Sequence, residues 1–252
     1  MRPDLTRLLR ELGSCVQRSA PDAGGEAPAR RPTRESADAQ RAAGERRRAP
    51  ARTGLTTGIP PLDQLLGGGL APGRLSELHG PFSSGRTSVA LALLARATAA
   101  GEVVGVVDGA DAFHPASARA AGVQLERVLW ARPPGVSEAM RCSERLLQAR
   151  GFAAVLLDTA GREAEWEALP TAVWQRLTRA AAAAGTALIV LSGRRVTGST
   201  ADLAIRFQPT RARFTGPPSL FEGLEIEAVI TRQRRGPLRG AAAARLRAGS
   251  DF

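Results

Sequence analysis

The segment that most constrains the fold is a glycine-containing stretch between a predicted strand and a predicted helix. Residues 80–88 read Gly-Pro-Phe-Ser-Ser-Gly-Arg-Thr-Ser and match the pattern G-x-x-x-x-G-[KR]-[ST]. The predicted strand 74–79 precedes this segment, and the predicted helix 87–99 begins at its end. In such a loop the glycines let backbone N–H groups converge on phosphate oxygens, and the helix N-terminus adds partial positive charge. The segment therefore predicts an α/β nucleotide-binding domain.

The predicted nucleotide-binding residues are those whose backbone or side chain would face the phosphates: Gly80, Ser83, Ser84, Gly85, Arg86, Thr87 and Ser88. Thr87 would offer its hydroxyl to Mg²⁺, and Asp158, at the end of an apolar run, would add a carboxylate through water. Arg86 occupies the position that is usually lysine. Because arginine is longer and planar, it can hold a phosphate but does not copy the compact charge of lysine. ATP and Mg²⁺ are the expected cofactors, with weak binding.

Short apolar runs alternate with helical stretches through the middle of the chain. The predicted strands are 74–79, 103–107, 128–131, 153–157 and 187–191, and the predicted helices are 87–99, 136–149 and 172–184. Beyond residue 201 only short strands are predicted, at 203–207, 224–231 and 242–246. This order predicts a largely parallel sheet sandwiched by helices, with antiparallel edge strands near the C-terminus.

The first 52 residues differ in composition from the rest. An apolar stripe at helical spacing, continued by Val16, predicts an amphipathic helix in residues 1–18, and its leucines are Leu5, Leu8, Leu9 and Leu12. So short a helix cannot bury its stripe alone, so we expect these leucines to bind a neighbouring copy or a partner; a frayed extension is the alternative. Residues 19–52 have almost no large apolar residue and predict a disordered linker. Residues 53–252 are predicted to form the core domain.

All 35 basic residues are arginines, and the net charge is +11. The absence of lysine indicates a coding bias, but a cationic surface attracts polyanions whatever its origin, and nucleic acid is the commonest of these. An acidic protein partner is the alternative. We expect non-specific contacts with the DNA backbone from two clusters: Arg194, Arg195, Arg232, Arg234 and Arg235.

No run approaches the ~18 uninterrupted apolar residues of a membrane-spanning helix. The two cysteines, Cys15 and Cys142, have no metal-ligand spacing. We expect a cytoplasmic, nucleoid-associated protein with no membrane contact.

From residue 55 to residue 247 the chain resembles the ATPase core of RecA recombinases. The matching segments occur in the family's order: 57–63, 67–70, 73–74, 80–88, 107–115 and 156–159. The resemblance implies a RecA-like P-loop core.

Four departures from the family pattern bear on activity. Ala110 stands in place of the catalytic glutamate, Ser117 in place of the aromatic that stacks on adenine, and Gly193 in place of the glutamine that couples nucleotide to DNA. The family's DNA-binding loop is shortened to residues 194–200. Without a positioned carboxylate, hydrolysis loses typically 10²–10⁴-fold in rate. Asp111 would substitute for the glutamate if its loop shifted by one residue. The departures together predict a degenerate ATPase with little or no hydrolysis.

A degenerate RecA-like core with a basic N-terminal extension is similar to ImuA-type proteins, the accessory factors of an inducible translesion-synthesis operon. This resemblance implies a role in the DNA-damage (SOS) response through contacts with a RecA-like recombinase or a translesion polymerase. Two alternatives remain open. One is an active DNA-dependent ATPase that uses Asp111, and the other is a damage-induced division inhibitor that uses the fold as an interaction scaffold.

Overall fold

The computed structural model describes residues 16–17, 54–217, 220–234 and 243–248. The strands in these residues are β1 (Val16–Gln17), β2 (Leu75–His79), β3 (Val103–Asp108), β4 (Val128–Ala131), β5 (Phe152–Asp158), β6 (Ala187–Ser192), β7 (Leu203–Thr215), β8 (Leu220–Gln233) and β9 (Ala243–Ala248). The α-helices are α1 (Pro60–Leu65), α2 (Arg86–Ala99), α3 (Pro115–Ala120), α4 (Val136–Ala149), α5 (Glu163–Glu167) and α6 (Thr171–Ala184). Within the described ranges, no helix has the length and hydrophobicity needed to cross a membrane.

All nine strands belong to one sheet, in the order β1-β4-β3-β5-β6-β2-β7-β8-β9. The six strands from β4 to β7 in this order pair in parallel, whereas β1 at one end and β8 and β9 at the other pair antiparallel. The predicted fold class, a mostly parallel sheet with antiparallel C-terminal strands, is confirmed. Since the parallel strands end at one edge of the sheet, the loops that follow β2, β3, β5 and β6 lie near one another.

Helices cover both faces of the sheet. On one face α2 buries Leu93 and Leu94 in a cluster that includes Phe207 of β7. On the other face α4, α5 and α6 bury a second cluster, in which the rings of Trp166 and Trp174 lie 6.3 Å apart. The phosphate loop therefore joins the middle of the sheet to the helix on the first face.

The C-terminal strands are much longer than the sequence predicts, since β7 has 13 residues and β8 has 14. β7 pairs with β2 only from Leu203 to Arg206 and thereafter only with β8. Most of the residues beyond Phe207 are exposed, so this half lacks the hydrophobic alternation that predicts a strand. Helices α1, α3 and α5 were not predicted, because five or six residues are too few to show a helical period.

The N-terminal prediction needs one correction. Val16 and Gln17 form a strand that pairs antiparallel with Ala131 and Trp130 of β4, so a helix over residues 1–18 cannot include them. Their backbone groups pair with the otherwise open edge of β4 instead of forming helical hydrogen bonds. The predicted leucine stripe and the predicted linker 19–52 lie outside the described residues.

Candidate functional site

The predicted phosphate loop lies where β2 ends and α2 begins. The N–H of Gly80 donates to the carbonyl of Ser192 at 3.2 Å, so the loop starts beside the end of β6. A Cβ on Gly80 would lie 2.2 Å from the carbonyl oxygen of Phe207, and a Cβ on Gly85 would lie 2.0 Å from Cδ1 of Ile226. Gly85 also has a φ of 81°, which glycine adopts without strain. Close packing against the backbone of β7 therefore requires glycine at position 80, and the left-handed φ favours glycine at position 85.

The side chain of Arg86 turns into the loop. Arg86 is only 5% exposed, and its Nη1 donates to the carbonyl of Gly80. Its guanidinium carbon lies 5.4 Å from the centroid of the Phe82 ring, a cation–π contact. Burial lowers the pKa of Arg86, and the nearby carboxylates of Asp158 and Glu163 oppose that effect. Arg86 thus closes the loop on itself, because the donor that would meet a phosphate bonds to the loop's own backbone.

The hydroxyl groups of the loop differ in their surroundings. Ser84 is buried, and its Oγ has no hydrogen-bond partner among the described residues. A phosphate oxygen would satisfy this hydroxyl. Thr87 and Ser83 are exposed, Ser88 is half-buried, and Ser83 has a left-handed φ of 58°. The backbone frame and Ser84 therefore fit a phosphate group, provided that Arg86 leaves the Gly80 carbonyl.

Asp158 ends β5 close to Arg86. Burial raises the pKa of Asp158 to about 6; an N–H bond from Ala160, at 3.0 Å, opposes the rise, and neighbouring Asp108 adds to it. Thr87 and Asp158 are the oxygen donors that would hold Mg²⁺ through water. No cluster of three or more His, Cys, Asp or Glu side chains within the described part of the chain forms a metal site. These residues fit a magnesium ion held mainly by phosphate and water.

The turn after β3 offers no free carboxylate. Asp108 is buried and accepts hydrogen bonds from the N–H groups of Ala112 and Phe113, at 2.8 and 3.1 Å, and from Nε1 of Trp130. Asp111 has a φ of 53° and forms an ion pair with Arg132. The Asp111 carboxylate is the predicted substitute for the missing glutamate. It is held by Arg132, the residue that directly follows β4.

Glu163, the first residue of α5, is a carboxylate that the sequence analysis did not identify. Its Oε1 accepts the N–H groups of Gly161 and Gly193, at 3.0 and 3.1 Å. Partial burial would raise the pKa of Glu163, but backbone hydrogen bonds and Arg86 outweigh it, so the net shift is downward. A Cβ on Gly193 would lie 2.2 Å from this Oε1, so the carboxylate fills the space of a residue-193 side chain. A glycine directly after the buried strand β6 was the only sequence indication.

A buried carboxylate holds the connection from β6 to β7. Glu77 of β2 is fully buried and accepts the N–H groups of Val196 and Thr197, at 2.6 and 3.3 Å, and the Thr197 hydroxyl at 2.6 Å. Val196 packs in the second hydrophobic cluster. The connection from β6 to β7 is therefore fastened to the sheet.

The predicted DNA-contacting arginines have different partners. Arg194 forms an ion pair with Glu167 at 2.7 Å, whereas Arg195 lies 3.5 Å from the Glu77 carboxylate. Arg232 donates to the carbonyls of Ser199 and Ala201, both at 2.9 Å. The side chain of Arg234 is exposed, and Arg235 lies outside the described residues. The structure thus brings Arg195 and Arg232 to the same connection and directs Arg194 toward α5.

Comparison with known proteins places these features in a family context. The model of the RecA N-terminal domain matches residues 42–167, half of the chain. Protein RecA of Rhodopirellula baltica is 36% identical over 106 residues, which cover 42% of this chain and 28% of that protein. Protein RecA of Chlorobium limicola is 37% identical over 106 residues, which cover 42% of this chain and 30% of that protein. The matches thus span less than a third of these curated relatives.

A solved structure supports the fold over a longer stretch. The crystal structure of the RadB recombinase superposes with a TM-score of 0.60 and covers 77% of this chain and 95% of that chain. The sequence identity is 24%, so this likeness concerns the fold.

Proposed function

Since the chain belongs to the family of the RecA N-terminal domain, we propose that it is a RecA-like accessory protein of the DNA-damage response. In this role it supports error-prone translesion synthesis, as ImuA-type proteins do, by contacting a translesion polymerase, a RecA-like recombinase or both. It acts in the cytoplasm at the nucleoid and contacts DNA without reading sequence. ATP and Mg²⁺ bind weakly and are turned over little or not at all.

The observation that carries this proposal is the inward position of Arg86. A phosphate must compete with the Gly80 carbonyl for the guanidinium, and charge-assisted hydrogen bonds of this kind are among the stronger ones in proteins. The Phe82 ring holds the guanidinium in the same place. A protein that uses nucleotide turnover would gain nothing from such an arrangement, whereas an accessory protein that acts by binding tolerates it.

The missing carboxylate supports the proposal independently. Ala110 has no side chain that could orient an attacking water, and Asp111 is engaged by Arg132. Loss of such a group lowers the rate typically 10²–10⁴-fold. The site then keeps the frame of a nucleotide-binding protein without its means of hydrolysis.

Binding measurements with purified partners test the accessory role. The full chain should bind saturably to the translesion polymerase or the recombinase of its own organism. Because the nucleotide site is weak, we expect the same affinity with and without ATP·Mg²⁺. Absence of binding to either protein, under conditions where the chain is folded, would contradict the proposal.

A working DNA-dependent ATPase is the second candidate, and Glu163 is the observation that favours it. This carboxylate is oriented by two backbone N–H groups and lies close enough to Arg86 and Asp158 to influence their pKa values. In an ATPase, Glu163 would take the water-orienting role that Ala110 cannot fill. DNA-stimulated hydrolysis that disappears in Glu163→Gln but persists in Asp111→Asn would favour this candidate.

A further inference from the structure

We propose that Arg195, Arg206 and Arg232, grouped around the buried His79, form one phosphate-binding surface for the backbone of nucleic acid. This basic surface lies at the carboxyl end of β2, on the sheet face opposite α2. The inference rests on the proposed association with DNA and assigns it to particular residues. Arg206 and His79 are new to the site, and the surface does not include Arg194.

The strand register places His79 and Arg206 side by side. The two residues are direct partners in the parallel pairing of β2 with β7, so their side chains project from the same face. Ile205 and Phe207, the neighbours of Arg206, are buried in the cluster under α2, which directs Arg206 to the other face. His79 Nε2 lies 3.3 Å from the hydroxyl of Thr231, the residue before Arg232.

Among the described residues Arg206 and Arg232 have no ion pair, whereas Arg195 lies 3.5 Å from the Glu77 carboxylate. Arg195 donates to the carbonyl of Gly198, and Arg232 donates to the carbonyls of Ser199 and Ala201. These acceptors are neutral, so they orient the guanidinium groups without cancelling their charge. Two carboxylates lie on this face of the sheet. Glu77 is fully buried and already accepts hydrogen bonds from the β6–β7 connection, and Glu227 of β8 accepts a hydrogen bond from the Gln208 amide at 2.7 Å.

Arg206 is the most accessible member. It is exposed and makes no hydrogen bond or ion pair with the part of the chain that the structure describes. Other surface arginines differ in this respect, since Arg194 pairs with Glu167 and Arg213 pairs with Glu222 at 3.2 Å. An unpaired guanidinium next to two that are held by carbonyls leaves a positive surface facing solvent.

The behaviour of His79 agrees with this charge distribution. Burial lowers the pKa of His79; Glu77 opposes this effect, and Arg195 and Arg206 add to it. The imidazole is therefore uncharged near neutral pH, and its Nε2 lies within hydrogen-bonding distance of the Thr231 hydroxyl.

Phosphate is the ligand that suits these groups. Guanidinium groups bind phosphate oxygens in a bidentate manner, and several in a row favour a chain of phosphates over a single anion. Within the part of the chain that the structure describes, no aromatic ring is placed here for stacking on bases, because Phe207 is fully buried beneath the sheet and the exposed pair Phe214–Phe221 lies at the far end of the hairpin. The surface is therefore suited to the backbone of nucleic acid and not to its bases.

Salt titrations with a fluorescent single-stranded oligodeoxynucleotide test the inference. Replacing Arg206 by Gln removes one phosphate contact, so the slope of log affinity against log salt should fall by about 0.7, with affinity lowered about fivefold. Arg213→Gln, on the same strand but already ion-paired, is the matched control and should keep the parent slope and affinity. Arg206 is exposed, so neither variant endangers folding.

Three outcomes would overturn the inference. The first is identical binding by the Arg206→Gln variant and the parent, which leaves DNA association intact but removes this surface. The second is the absence of oligonucleotide binding by the parent chain, which does not affect the partner-binding test of the accessory role. The third is displacement of the oligonucleotide by polyglutamate at equal charge concentration, which would show an acidic protein partner to be an equally good ligand.

Discussion

At Arg86 the guanidinium has two competing acceptors, the carbonyl of Gly80 and the phosphate that the loop would bind. Lysine at this position would offer a compact charge that cannot reproduce the planar stacking on Phe82. The identity of one side chain therefore determines how accessible the backbone N–H groups and the Ser84 hydroxyl are to a nucleotide.

Replacing Arg86 by Lys should therefore strengthen nucleotide binding. We expect the affinity for ATP·Mg²⁺ to rise about tenfold, which corresponds to removing one competing hydrogen bond to a charged group. Isothermal titration calorimetry measures this directly, and Arg96→Lys, an exposed position on the same helix, is the control. Equal or weaker binding by Arg86→Lys would show that Arg86 does not obstruct the loop.

The buried carboxyl of Asp158 gives a second residue-level prediction. Its folded pKa of about 6 lies above the usual 3.8 of an aspartate, so its contribution to stability is full below about pH 4 and is lost as the pH rises through about 6. Asp158→Asn cannot ionise. Each unit of pKa difference represents ~1.4 kcal/mol of stability. After a discount from the full value for the shift, we expect this variant to be more stable than the parent by about 2 kcal/mol in metal-free buffer at neutral pH.

Urea denaturation across pH checks this difference, which should shrink below about pH 4. Glu138→Gln, in a solvent-exposed pair with Arg141, should show no such pH-dependent gain. An Asp158→Asn variant less stable than the parent at neutral pH would mean that the ionised carboxylate is stabilised by its neighbours.

The residues of the candidate site could be predicted only in part. The G-x-x-x-x-G pattern correctly places the loop between strand and helix, because this pattern depends on local backbone geometry. The direction of Arg86, the ion pair of Asp111 with Arg132 and the approach of Glu163 to Gly193 depend on contacts between distant segments. A single sequence contains no local pattern for such contacts.

At the scale of elements, the β6–β7 connection is anchored to the sheet by hydrogen bonds, unlike a mobile loop. It crosses from the end of β6 to the start of β7 without a helix, and the Glu77 carboxylate satisfies its buried N–H groups. Its anchoring places the Arg195 guanidinium and the carbonyls that hold Arg232. The stability of this connection therefore determines the geometry of the basic surface.

Removing the Glu77 carboxylate should release the connection. Glu77→Ala leaves the N–H groups of Val196 and Thr197 without their acceptor, so we expect a loss of about 3 kcal/mol in the free energy of unfolding. Cleavage by trypsin at Arg194 and Arg195 should become faster. Glu77→Gln keeps one acceptor oxygen and should lose less on both measures. If Glu77→Ala and the parent have the same free energy of unfolding within error, other contacts hold the connection.

Elements that are buried were predicted from the sequence more accurately than elements that are exposed. Strands β3 to β6 were predicted almost to the residue, since each is a short apolar run that is buried on both faces of the sheet. Residues 208–215 of β7 and 220–223 of β8 were missed because most of them are exposed and leave no period to detect. The short helix α3 was missed as well. Its N-cap is His114, whose ring accepts a hydrogen bond from the Ser117 N–H at 3.2 Å.

At the scale of the whole molecule, the two ends of the sheet differ. The short strand β1 covers the edge at β4, and β9 forms the opposite edge. The leucines predicted to bind a partner, Leu5, Leu8, Leu9 and Leu12, precede β1 in the chain. Self-association or partner binding through this segment therefore remains a proposal that is separate from the basic surface.

Deleting residues 1–15 keeps β1 and should leave the core folded while it weakens association with itself or with a RecA-like partner. Burial of four leucines contributes several kcal/mol at ~1.5–3 each, before the entropy of ordering is subtracted. Light scattering and a binding assay with the purified partner measure the effect. Full-length protein with these four leucines changed to alanine is the control and should behave in the same way. Unfolding of the deleted protein would instead place the segment within the core.

Hydrolysis of ATP in the presence and absence of single-stranded DNA tests most directly whether the nucleotide site is degenerate. With saturating Mg²⁺ and ATP, the parent chain should release phosphate no faster than a variant in which Arg86 and Thr87 are both changed to alanine, and DNA should not change the rate. The closed Arg86 and the engaged Asp111 are the physical reasons. DNA-stimulated turnover in the parent that is absent from this double variant would contradict the claim and show a working ATPase.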